Sequence, residues 1–172
     1  SLLARLLLLD FLKKINLFNK IDIEYNSWGK PLLKDAPHFN WSHSGDYVVF
    51  AWSNFVEVGI DIEKTNTIEW TEFNTIFNKY QWADILDSYD SIKKFYYYWV
   101  INEAIIKAKG MGLSFDIKGI NLIHNGQITI DNEAFKLKEI HVHPEYLCYL
   151  AFRNIQTEFN IKSQFYLPKD LG

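Results

Sequence analysis

The chain has 172 residues, of which 48% are apolar and 17% aromatic, and its formal net charge is −3. That is enough to bury a core in one compact domain or two small lobes, and nothing in so mild a charge suggests a general nucleic-acid binder, so any basic site for a phosphate must be local. The single cysteine, Cys148, cannot close an internal disulfide, which fits a reducing, cytoplasmic setting.

The leucine-rich opening, Leu2 to Leu12, is too short to span a bilayer and is interrupted by Arg5 and Asp10. It reads as an amphipathic helix over 2–16, ended by Lys13 and Lys14, with no membrane role. A turn-rich stretch follows, Asn26-Ser27-Trp28-Gly29-Lys30-Pro31. Two strands are predicted at Phe39–Ser42 and Tyr47–Trp52, joined through Ser44-Gly45-Asp46. A third is predicted over 56–63, with Val58, Ile60 and Ile62 facing the core and Gly59, Asp61 and Glu63 facing the other way. Residues 68–88 and 91–109 read as helices, the second stopped by Gly110 and Gly112. Strands are then predicted at 119–123, 127–130, 135–142 and 147–152, with Asn125-Gly126 as a hairpin turn and a further strand at 157–166. Helix, strands, helix, strands is an α+β order, and the two halves look like coarse copies of each other, a helix followed by a small antiparallel sheet.

Two segments carry chemistry. Asp61 and Glu63, two apart on a strand, point to one side about 7 Å apart at the backbone. Drawn to about 4 Å they would repel by about 4 kcal/mol at an effective dielectric of about 20. A divalent cation reverses the sign of that cost, and an all-oxygen set favours Mg²⁺ or Mn²⁺ over Zn²⁺. Trp99, Glu103 and Lys107 recur at i, i+4 and i+8, on one face of a helix that is otherwise apolar. If the two segments meet, they form a metal site with a cation beside it. Taken alone, an Asp-x-Glu pair is more often a solvated strand face, and a Glu–Lys pair one turn apart is more often a surface ion pair. His43, among the hydroxyls of Ser42 and Ser44, is a fair phosphate donor. Lys30 lies on a turn, where solvent exposure is the default.

Four motifs together resemble the 4′-phosphopantetheinyl transferases of the surfactin-synthetase-activating type. Trp28-Gly29-Lys30-Pro31-Leu32 is similar to that family's G-K-P-x-L, Phe39-Asn40-Trp41-Ser42-His43-Ser44 to its F-N-x-S-H-S, Gly59-Ile60-Asp61-Ile62-Glu63 to its G-x-D-x-E, and Trp99 to Gly110 to its W-x-x-K-E-A-x-x-K-x-x-G. They stand in the family's order, and the resemblance covers almost the whole chain, from the leucine helix to about Arg153. The resemblance implies two similar α+β lobes related by a pseudo-two-fold axis, with the site between them: residues 1–55 as an N-terminal lobe and 56–172 as a C-terminal lobe. It implies transfer of the phosphopantetheine arm of coenzyme A to a serine of an apo acyl or peptidyl carrier protein, with release of 3′,5′-ADP. Asp61, Glu63 and Glu103 would hold Mg²⁺. Glu103 would be the base for the carrier serine, and Lys107 would neutralise charge on the bridging and leaving oxygens. Lys30, Ser42 and His43 would contact coenzyme A, with Lys30 and His43 at its phosphates. Two lobes in one chain imply a monomer.

The chain departs from that pattern in three places. Asn102 stands where the family has Lys, and Gln81 where it often has an acid. Family members carry several dozen residues before the leucine helix, with basic side chains for the coenzyme's 3′-phosphate, so the first lobe is expected to be incomplete at its N-terminus. The aromatic and apolar residues between the acidic motifs, among them Trp70, Phe73, Phe77 and Trp82, are candidates for a carrier dock as well as for the core. Two other readings stay open. One is an inactive binding homologue of the same fold, and the other is a Mg²⁺-dependent pyrophosphohydrolase that uses water as nucleophile.

Overall fold

The computed structural model describes residues 2–18, 23–34, 36–112, 117–123, 127–130, 132–155 and 160–166. Helix α1, Leu2–Lys14, packs Leu8, Phe11 and Leu12 onto Phe39. Two short strands, β1 (Ile23–Tyr25) and β2 (Pro31–Leu33), form a small antiparallel pair around the Asn26–Lys30 turn. Strands β3 (His38–Ser44) and β4 (Tyr47–Ser53) form a hairpin paired from His38↔Ser53 to Ser44↔Tyr47, with Gly45 at φ +52 in its turn. The remaining strands are β5 (Val58–Lys64), β6 (Asn121–Ile123), β7 (Gln127–Ile130), β8 (Glu133–Glu139) and β9 (Tyr146–Arg153). They form one antiparallel sheet in the order β5-β9-β8-β7-β6. The class is the expected α+β.

Helix α3, Ser91–Lys109, is the central element. Asp90 caps its N-terminus by accepting from the Lys93 N–H at 2.9 Å, and Gly110, at φ +73, ends it. A helix apolar nearly all round must be buried nearly all round. Ala104, Ile105 and Ile106 pack on Ile128, Phe135 and Ala151 of the sheet, while Phe95, Tyr98 and Ile101 pack against Phe77 and Ile85.

Strand β5 is buried on both faces. Ile60 and Ile62 pack against Val49 and Ala51 of β4. The other face meets α3 so closely that a Cβ on Gly59 would lie 2.1 Å from the Ala104 carbonyl and the Ala108 nitrogen. Only glycine allows that contact. The acidic face is therefore turned into the protein against α3, and the reading of a solvated strand face does not hold.

Two expectations are corrected. Residues 68–88 are not one helix: a 3₁₀ turn at Trp70–Phe73 is separated from α2, Lys79–Asp87. Asn78 causes the break, because its extended backbone and its side chain, which accepts from the N–H groups of Tyr80 and Gln81, start a new helix. The turn-rich reading of 26–31 holds, and the structure adds the short β1–β2 pair around it. Residues 160–166 form no strand, while 156–159 and the Asn125-Gly126 turn lie outside the described residues.

Candidate active site

The junction between β3 and β5 is made by side chains. Alternate residues of β3 share one face, and three of them reach β5. Asn40 Oδ1 accepts from the Ile60 N–H at 2.9 Å. The Ser42 hydroxyl donates to Asp61 Oδ1 at 2.7 Å. The Ser44 hydroxyl donates to Glu63 Oε2 at 2.8 Å, while its oxygen accepts from the Lys64 N–H at 3.0 Å. This polar comb satisfies amides of β5 that β9 cannot reach, and it aims both carboxylates.

Helix α3 closes the site from the other side. Trp41, Ser42, His43, Asp61, Glu63, Trp99, Glu103 and Lys107 line one open cavity of about 330 Å³. Lys107 Nζ lies 2.5 Å from Asp61 Oδ1 and 3.1 Å from Ser42 Oγ. Asp61 is 2% exposed and Glu103 8%, whereas His43 is exposed at the cavity rim.

Three carboxylates and one ammonium share this space. Burial pushes the Asp61 carboxyl above its ordinary range, and the charge and hydrogen bond of Lys107 and the bond from Ser42 only partly offset it. Glu63 is also raised, first by burial, with Ser44 pulling it down and the charge of Asp61 pushing it up. Glu103 is raised by burial, then lowered by Lys107 and raised again by Asp61 and Glu63. Two buried oxygens, Asp61 Oδ2 and Glu103 Oε1, have no hydrogen-bond partner. Buried acceptors without partners cost free energy and mark a place for a ligand or ion.

The donor set suits a hard divalent cation: carboxylate oxygens only, two of them orphaned, on two elements locked together. It is not a closed ligand cluster, and among the described residues no group of three or more His, Cys, Asp or Glu stands ready around a metal. Lys107 occupies the Asp61 oxygen on that side.

The profile of the 4′-phosphopantetheinyl transferase superfamily matches residues 57–158, the stretch that holds Asp61, Glu63, Glu103 and Lys107. The chain belongs to this superfamily. It is similar to the 4′-phosphopantetheinyl transferase Sfp of Bacillus subtilis (strain 168), 34% identical over 139 residues that cover 76% of this chain and 62% of that protein. It is also similar to 4′-phosphopantetheinyl transferase gsp of Aneurinibacillus migulanus, 35% identical over 134 residues covering 76% of this chain and 56% of that one. A human relative, L-aminoadipate-semialdehyde dehydrogenase-phosphopantetheinyl transferase, is 36% identical over 124 residues, with 62% of this chain and 40% of that one covered. The chain thus spans at most about three fifths of the length of these relatives.

Of the seven side chains to which the resemblance gives a role, six meet at the cavity: Ser42, His43, Asp61, Glu63, Glu103 and Lys107. Lys30 does not line it. Its ammonium donates to the carbonyls of Lys107, Ala108 and Val58, at 2.6, 3.1 and 3.3 Å. Burial, partly offset by the charge of Glu57, pushes that ammonium down to about 8, while three carbonyls and the negative end of α3 favour its charged form. The two departures, Gln81 and Asn102, are buried against each other as a reciprocal amide pair, Gln81 Nε2 to Asn102 Oδ1 at 3.1 Å and Asn102 Nδ2 to Gln81 Oε1 at 3.3 Å. Of the dock candidates, Phe77 is 3% exposed and belongs to the core, and Trp70, Phe73 and Trp82 pack against the same cluster. Asn40 and Ser44 were not singled out for a role, although their spacing from Ser42 puts all three on one strand face.

Proposed function

We propose that this chain transfers the 4′-phosphopantetheine moiety of coenzyme A to a serine of an apo acyl or peptidyl carrier protein, with Mg²⁺ and with release of 3′,5′-ADP. The observation that carries this reading is the single cavity in which Asp61, Glu63 and Glu103 face Lys107, Ser42 and His43. The reading takes residues 1–55 and 56–172 as two lobes of a monomer. The serine Oγ forms a bond to the β-phosphorus as the bond from that phosphorus to the 3′,5′-ADP oxygen breaks. Glu103 accepts the serine proton, directly or through water, and its raised pKa makes it a better base near neutral pH than an exposed glutamate. Lys107 offsets charge that grows on the bridging and leaving oxygens. His43, exposed at the rim, contacts the phosphates of coenzyme A, and Ser42 contacts the coenzyme. Asp61, Glu63 and Glu103 would hold the cation, which when bound supplies charge neutralisation on the pyrophosphate.

The test is to incubate the protein with coenzyme A, Mg²⁺ and an apo carrier protein and to weigh the carrier. A mass gain of one phosphopantetheine is expected, and Glu103→Gln should lower the rate by at least about 100-fold with the fold intact. Cleavage of coenzyme A without a labelled carrier would instead mark a hydrolase. Unlabelled carrier with intact coenzyme A would mark a binding homologue.

A further inference from the structure

The turn from Asn26 to Lys30 is built to grip the end of α3. Asn26 Oδ1 accepts from the N–H groups of Trp28 and Lys30 at 3.0 and 2.9 Å, so the turn is braced internally. Asn26 Nδ2 then donates to the Gly110 carbonyl at 2.6 Å. Lys30 Nζ takes the carbonyls of Lys107 and Ala108, which the helix itself leaves without partners, and adds Val58 at the first position of β5. A Cβ on Gly110 would come within 3.0 Å of both Asn26 Nδ2 and Lys30 Cδ, so the approach leaves no slack. One ammonium therefore ties the end of the helix that carries Glu103 and Lys107 to the start of the strand that carries Asp61 and Glu63. One of its three carbonyls belongs to Lys107 itself.

We propose that Lys30 is a positioning residue, a side-chain cap that sets the register of α3 on β5 and so aims Lys107 Nζ at Asp61 and Ser42. It acts through the backbone of Lys107 and touches no phosphate. This rests on the transfer reaction proposed above. A cation that binds the coenzyme's phosphate and a cation that aims the catalytic helix both matter for rate, but they act on different constants. A phosphate ligand acts on the KM for coenzyme A. A positioning residue acts on kcat, because misplacement by about 1 Å can cost about 100-fold in the chemical step.

The experiment compares the unaltered chain with Lys30→Met, which keeps the stem and removes the donors, Lys30→Arg, which keeps them, and Asn26→Asp, which keeps the brace of the turn and loses the bond to Gly110. Carrier labelling is measured against coenzyme A concentration, and amide hydrogen exchange is followed over the last turn of α3. For Lys30→Met, kcat should fall by about tenfold or more with the KM for coenzyme A within about threefold. Exchange at 105–111 should quicken, Lys30→Arg should recover most of kcat, and Asn26→Asp should fall between. If Lys30→Met does not fold, Asn26→Asp carries the same comparison. A rise in KM with kcat regained at saturating coenzyme A would overturn the proposal, as would unchanged kcat. If the unaltered chain labels no carrier, the transfer reading fails first, and the clamp is then judged by exchange alone: unchanged protection in Lys30→Met would overturn it.

Discussion

Glu103 is an acid kept where an acid is costly. Burial raises its pKa, so the folded state holds its proton more tightly than the unfolded chain does. Below the ordinary glutamate range both states are protonated and the residue is neutral to folding. As pH rises through that range toward the folded pKa, the unfolded state ionises first and stability falls. Glu103→Gln should therefore melt higher than the unaltered chain near pH 7, by about 1 kcal/mol, with the gain shrinking as pH drops below the ordinary carboxyl range. Mg²⁺ should reverse the ranking: at a hundredfold excess over its dissociation constant it adds about 2.7 kcal/mol to a chain that binds it. Thermal melts of both proteins across pH, with and without Mg²⁺, check both statements, and equal melts throughout would contradict them.

Among elements, the apolar contact between α2 and α3 encloses two buried amides. Gln81 and Asn102 are 2% and 1% exposed, and each donates to the other. The pair is neutral and fully inside, and Asn102 is adjacent in sequence to Glu103. Asn102→Lys should cost about 3 kcal/mol or more, because it leaves a buried charge without a counter-charge. Adding Gln81→Glu should return most of that loss, and chemical denaturation of the two single variants and the double variant measures the coupling. Additive effects would show that the amides do not act as a unit. Both residues were visible in the sequence as departures from a motif, but their partnership was not, since 21 positions and a helix boundary separate them. That boundary does not show in the hydrophobic pattern, because apolar residues run through 68–88 at helical spacing, yet the cap at Asn78 divides the stretch. The β1–β2 pair was missed for a related reason, because three-residue strands carry too little alternation to stand out from a turn.

Over the whole molecule, α3 is held between the sheet and α2, and β5 between α3 and the β3–β4 hairpin. Cys148 reports on that assembly. It is 0% exposed on β9 opposite Ile62, and burial pushes its thiol up to about 12. Alkylation of the folded protein should therefore be slow, limited by global opening, and slowed further by Mg²⁺ if the cation binds the folded state. Rapid labelling in native buffer would show that β5 and β9 open locally.

The sequence by itself determined the α+β class, the long central helix and its glycine stop, and the residues that meet at the cavity. The helix, its stop, and the placing of Asp61 with Glu63 and of Glu103 with Lys107 follow from local signals, period two along β5, one helical face on α3 and the glycine that ends it, while Ser42 and His43 come from the motif resemblance. Only the tertiary structure decided what those residues touch. It turned the acidic strand face inward, gave Lys107 to Asp61, paired Gln81 with Asn102, and sent Lys30 to the end of α3 instead of the cavity. The physical reason is that a side chain's type and spacing set which way it points, whereas its partner depends on which other element packs there. A lysine on a turn reads as solvent-exposed, and only the packing of α3 against that turn puts the carbonyls of a helix end within its reach.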